Sequence, residues 1–135
     1  MEQPQYLIDT NAVIDYLGKK LPDTGINFMN GIIDNVPNVS IVSKIEVLGF
    51  NTTDDHYQLL ANFMNDSNVL ELSDIVVDAC IDVRKKYKIK LPDAIIAATT
   101  LVHGLILISR NTSDFISIEG LKTIDPHNLA DNRWL

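Results

Sequence analysis

Pro92-Asp93-Ala94-Ile95-Ile96-Ala97-Ala98-Thr99-Thr100-Leu101-Val102-His103-Gly104-Leu105-Ile106-Leu107-Ile108 holds a helix, its stop and a strand in one run. Pro92 suits a helix start, where its missing N–H would be unpaired in any case. Asp93 to His103 is almost wholly apolar, so this helix is expected to be buried. Gly104 ends it. Leu105 to Ile108 is the most apolar strand of the chain and is expected at the centre of a parallel sheet, covered on both faces.

Outward from this run, short apolar strands alternate with helical stretches. Tyr6-Leu7-Ile8 reads as a strand ended by Asp9-Thr10-Asn11, with a helix from Ala12 to Leu17 stopped at Gly18. Ile26 to Asn35 reads as a helix broken by Pro37-Asn38, and Val39 to Val42 as a second strand. Ser43-Lys44-Ile45-Glu46 has the Ser-x-x-Glu form of a capping box, opening a helix that runs to about Phe50. Asp54 to Asn65 is helical by its apolar spacing. Val69 to Leu72 is a short strand, and Ser73-Asp74 opens a helix that ends in a basic stretch. Leu121 to Ile124 reads as an edge strand. The alternation argues for an α/β fold, a three-layer α/β/α sandwich around a mainly parallel sheet, as one domain over residues 1–135.

Composition narrows the function classes. A chain of 135 residues, 46% hydrophobic and 21% charged, is globular rather than disordered. One cysteine, Cys80, excludes a disulfide framework and a cysteine zinc site. Apolar runs fall far short of a membrane span. Met1-Glu2-Gln3-Pro4-Gln5 lacks the basic region of a secretory leader, so a cytoplasmic protein is expected. Nucleotide-binding glycine loops and a serine elbow are missing, and His56, His103 and His127 have no metal-ligand spacing.

The charge is uneven. The net charge is −7, yet Arg84-Lys85-Lys86-Tyr87-Lys88-Ile89-Lys90 holds five cations and no acid, which leaves −12 on the rest. A solvated helix end favoured by the helix dipole accounts for such a stretch; so does a grip on phosphates beside an acidic site.

Acids or amides also stand where strands meet helices: Asp9, Glu46, Asp93, and the pair Asn111 and Asp114. Asp9 alone is an ordinary helix cap, Glu46 a capping-box acid in the first turn, Asp93 a first-turn dipole partner, and Asn111 and Asp114 turn residues. Asp9, Glu46 and the Asn111/Asp114 turn sit at the carboxyl ends of strands, where open parallel sheets bind ligands. Carboxylates gathered there repel unless a cation joins them, and hard oxygen donors suit Mg²⁺ or Mn²⁺.

The segments Tyr6-Leu7-Ile8-Asp9-Thr10-Asn11, Ser43-Lys44-Ile45-Glu46, Leu91-Pro92-Asp93-Ala94-Ile95-Ile96-Ala97-Ala98 and Ile108-Ser109-Arg110-Asn111-Thr112-Ser113-Asp114-Phe115 resemble, in order and spacing, the signature segments of the PIN domain family, and within it the VapC-like toxins. The resemblance implies a Mg²⁺- or Mn²⁺-dependent endoribonuclease acting on structured RNA such as transfer RNA. It implies a homodimer, silenced by an antitoxin that covers the acidic groove. By position it assigns Asp9, Glu46, Asp93, Asn111 and Asp114 to catalysis. Asp9 and Asp93 would hold the metal, and Glu46 would position or deprotonate water. Asn111 and Asp114 would hold metal-borne waters or orient Ser109. Asn111 stands where many members carry a fourth Asp, which weakens the case for a second metal. Lys86, Lys88, Lys90 and Arg110 are the RNA-binding candidates. A non-catalytic PIN-like binding module is the alternative. A haloacid dehalogenase-type phosphatase would need an Asp two residues after Asp9, where Asn11 stands.

Overall fold

The computed structural model describes residues 5–129, so the reading of Met1–Pro4 lies outside it. Five parallel strands, β1 (Tyr6–Ile8), β2 (Asn38–Ser40), β3 (Asn68–Leu70), β4 (Ile106–Ile108) and β5 (Thr123–Ile124), lie in the order β3-β2-β1-β4-β5. The strand expected at the centre, β4, is interior, but β1 holds the middle. The helices are α1 (Thr10–Leu17), α2 (Asp23–Ile33), α3 (Ile41–Leu48), α4 (Asp54–Asn65), α5 (Asp74–Lys86), α6 (Leu91–Val102) and the short α7 (Thr112–Phe115).

Alternation along the strands makes two cores. Leu7 and Leu107 face Val76, Cys80, Val83 of α5 and Ala94, Ala97, Ala98 of α6. Their neighbours Ile8 and Ile108 face the opposite side with Val39, Val13, Met29, Leu60 and Phe63. The period-two reversal of side chains therefore builds an α/β/α sandwich. α6 is buried as its composition requires. Its Thr99 and Thr100 hydroxyls donate to the carbonyls of Ile95 and Ile96 at 2.7 and 2.8 Å, which satisfies them inside the core. Cys80 is core, and burial pushes its thiol pKa up, away from reactivity.

The capping box is a correction. β2 stops at Ser40 rather than Val42, and Ser40 is the helix cap, its Oγ accepting from the Val42 N–H at 3.1 Å. Ser43 is buried inside α3, and Glu46 lies in the second turn. Two Ser residues three apart, each a good cap, made the register ambiguous from sequence. α2 also starts earlier than expected, at Asp23, and β3 ends earlier, at Leu70.

Candidate active site

The chain moves from β1 outward through β2 and β3, then returns to the other side of β1 as β4. This reversal opens a crevice between the carboxyl ends of β1 and β4, the place where open parallel sheets bind ligands. Register sets its first pair. Ile8 pairs with Ile108, and the Asp9 N–H donates to the Ile108 carbonyl at 2.9 Å, so Asp9 and Ser109 leave their strands side by side.

Asp9 is 4% exposed and caps α1. Its Oδ1 accepts from the Thr10 N–H at 2.8 Å. Its Oδ2 accepts from the Ser109 hydroxyl at 2.8 Å and from Asn11 Nδ2 at 3.3 Å. Burial nevertheless dominates and raises its pKa from 3.8 to about 6, with the charges of Asp93 and Glu46 adding to the rise. Asp93, in the first turn of α6, is also raised, first by burial, then by Asp114 and Glu46, with Lys90 opposing. These couplings link Asp9, Glu46, Asp93 and Asp114 electrostatically, so the four expected acids share one neighbourhood.

Glu46 reaches this group from α3. Its Oε1 accepts from the Thr10 hydroxyl at 2.7 Å, and the Ser43 hydroxyl lies 3.0 Å from the same Thr10 oxygen. Asn111 differs in detail from expectation. Its backbone N–H, not its side chain, meets Ser109, donating to Oγ at 3.0 Å. Its amide instead donates to Asp114. Among the described residues no group of three or more His, Cys, Asp or Glu side chains forms a ready metal cage. Like charges held apart in this way, with hard oxygen donors, fit a divalent cation by donor chemistry.

The basic stretch divides in two. Arg84, Lys85 and Lys86 end α5, and residues 87–90 run as a strap to α6. On the strap Tyr87 and Ile89 are half-buried against the core while Lys88 and Lys90 are exposed. The Tyr87 hydroxyl accepts from the Glu119 N–H at 3.0 Å, tying the strap to the loop after α7. Lys90 caps α6 next to Asp93. Arg110 is engaged elsewhere, with Nη1 3.0 Å from Asp15 Oδ2.

Sequence reasoning missed Thr10, Asn11 and Asp15. The signal available was position: polar residues directly after an apolar strand, then a helical repeat from Asn11 to Asp15. Another groove lies at the other end of the sheet, beside Gln5, Asn38, Asn68 and Leu105. Its lining holds His103 but no acid, lysine or arginine among the described residues.

The sequence profile of the PIN domain matches residues 6–121. A chain of a toxin–antitoxin complex from Klebsiella pneumoniae is 30% identical, with a TM-score of 0.71, over 90% of this chain and 98% of that one. DNA-bound VapBC from Salmonella typhimurium has a TM-score of 0.77 at 18% identity, covering 92% of this chain and 99% of that one. VapBC-1 from nontypeable Haemophilus influenzae has a TM-score of 0.72 at 22% identity, covering 90% and 97%. These last two bear on fold alone. No curated protein matches the chain. The profile covers most of the chain, so the chain belongs to the PIN domain family.

Proposed function

We propose that this protein is a divalent-metal-dependent endoribonuclease and the toxin of a toxin–antitoxin pair. What supports the reading is the gathering of carboxylates at the β1/β4 crevice, where Glu46 and Asp93 lie close enough to disfavour the charge on Asp9, and Asp114 that on Asp93. Asp9 and Asp93 would hold Mg²⁺ or Mn²⁺. Bound there, such an ion supplies Lewis-acid stabilisation of phosphate charge and a more acidic water.

The chain's own groups do the rest. Thr10 fixes Glu46 through Oε1, which leaves Oε2 to orient the attacking water and accept its proton. Ser109 and Asn11 hold the Asp9 carboxylate in one orientation. Asn111 and Asp114, paired with each other, border the site on the α7 side. Water attacks phosphorus in line, and the P–O bond to the leaving oxygen breaks. Lys88 and Lys90 on the strap, with Lys86 at the end of α5, would hold flanking phosphates. Arg110 has a weaker claim, because Asp15 already occupies its guanidinium.

The partner would be an antitoxin presenting Arg or Lys to the acidic crevice, where charge-assisted hydrogen bonds compete with the metal. The active form would be a homodimer in the cytoplasm. The deciding experiment is cleavage of transfer RNA by the purified protein with Mg²⁺, with Mn²⁺ and with chelator, alone and co-expressed with the product of the neighbouring gene. Metal-dependent cleavage, suppressed in the complex, is expected. RNA binding without cleavage in either metal would favour the non-catalytic module.

A further inference from the structure

Asp15 is a carboxylate at 3% exposure, remote from any role assigned above. It lies one helical turn after Asn11, so the two side chains share one face of α1. That face meets Arg110 at both ends. Asn11 Oδ1 accepts the Arg110 backbone N–H at 3.0 Å. Asp15 takes the guanidinium, with Nη1 3.3 Å from Oδ1 and 3.0 Å from Oδ2. His127 Nε2 lies 2.9 Å from the same Oδ2. The turn after β4 is thus clamped to α1, and that turn carries Ser109 and Asn111.

Stability is a poor reason for this arrangement. Asp15 is buried but the Arg110 side chain is 57% exposed, so solvent screens the pair and it adds little net stability. Its effect is geometric. We propose that Asp15 is a positioning residue: by holding the Arg110 side chain it fixes the 109–111 turn, and so keeps Ser109 and Asn11 aimed at Asp9. The inference rests on the reading of Asp9 as the heart of the site. It also reassigns Arg110 from gripping RNA to holding the site in shape.

The test uses Asp15→Asn, Arg110→Ala and the double variant, each checked for folding by thermal unfolding. Three quantities are read: backbone amide exchange at Arg110, Mn²⁺ affinity, and kcat and KM for RNA cleavage. In Asp15→Asn the Arg110 amide should exchange several-fold faster. Mn²⁺ affinity or kcat should fall by roughly tenfold, the usual scale for a group that orients metal ligands, with KM little changed. Arg110→Ala should do the same, and the double variant should be no worse than either single, since both break one link. If Arg110 instead binds phosphate, Arg110→Ala raises KM while Asp15→Asn, which frees the guanidinium, does not. That result overturns the proposal, as does unchanged Arg110 exchange, or unchanged kcat and Mn²⁺ affinity in Asp15→Asn. A parent protein that neither binds Mn²⁺ nor cleaves RNA overturns the nuclease reading itself, and the positioning role with it.

Discussion

Replacing Asp9 by Asn should stabilise the metal-free protein at neutral pH while abolishing cleavage. The folded-state pKa of Asp9 is raised from 3.8 to about 6, chiefly by burial. In the unfolded chain the carboxyl returns to its ordinary value. Between these values the folded state binds more protons than the unfolded one. The stability this group contributes is therefore fully present below about pH 3.8 and is lost as pH rises through about 6. The loss amounts to about 3 kcal/mol at pH 7. Asn keeps the shape, remains a good helix cap and cannot ionise. It still accepts from the Thr10 N–H, but its amide nitrogen now faces Ser109 Oγ and Asn11 Nδ2. That mismatch costs about 1 kcal/mol, so the net gain at pH 7 is about 2 kcal/mol. For a chain of this size the melting temperature should rise by roughly 6 °C.

The assay is thermal unfolding of both proteins in chelator, followed by circular dichroism from pH 4 to 8. The variant should be no more stable than the parent at pH 4. The difference should grow as the pH rises from about 4 to about 6 and level off above 7. Mn²⁺ should then raise the melting temperature of the parent and leave the variant nearly unmoved. A variant no more stable than the parent at pH 7, or a difference that ignores pH, would refute the account of Asp9 as a buried and frustrated charge. Cleavage by the variant at the parent's rate would refute its role in the metal site.

Reversing Lys88 and Lys90 to Glu should weaken RNA binding and flatten its salt dependence, measured by titration at several salt concentrations in the Asp9→Asn background; each lost phosphate contact removes close to one unit of slope. Thr10→Val should lower kcat by about tenfold with the fold intact, because Glu46 loses the hydroxyl that fixes Oε1; unchanged kinetics would remove Thr10 from the site. Gly25→Ala should destabilise by about 1–3 kcal/mol, although Ala normally favours a helix over Gly, because the new Cβ would fall 2.1 Å from the Pro126 carbonyl oxygen. A higher melting temperature in that variant would show that the segment after β5 does not pack against α2 as described.

How far the sequence could be read depended on the range of the forces involved. The strands and the buried helix α6 were legible because burial on both faces leaves a local trace, a run of apolar residues between breakers. The acids at Asp9, Glu46 and Asp93 were legible as types at strand and helix junctions, and the family resemblance supplied the rest of their grouping. What stayed hidden depends on contacts between distant segments. Ser40 and Ser43 offer the same cap chemistry, and only packing of α3 against α1 turns Ser43 inward to Thr10 and gives Ser40 the cap. The partner of Thr10 is 36 residues away, and that of Asp15 is 95 residues away at Arg110. No local pattern distinguishes Asp15 from an ordinary exposed acid on a short helix. The distinction comes from the parallel register that sets Ile8 beside Ile108, since that register brings the turn after β4 against the first two turns of α1. The same register puts Ser109 on Asp9. One alignment of two short strands therefore fixes both the orientation of the central carboxylate and the clamp behind it, and a shift of one residue would turn Asp9 away from the crevice and break both at once.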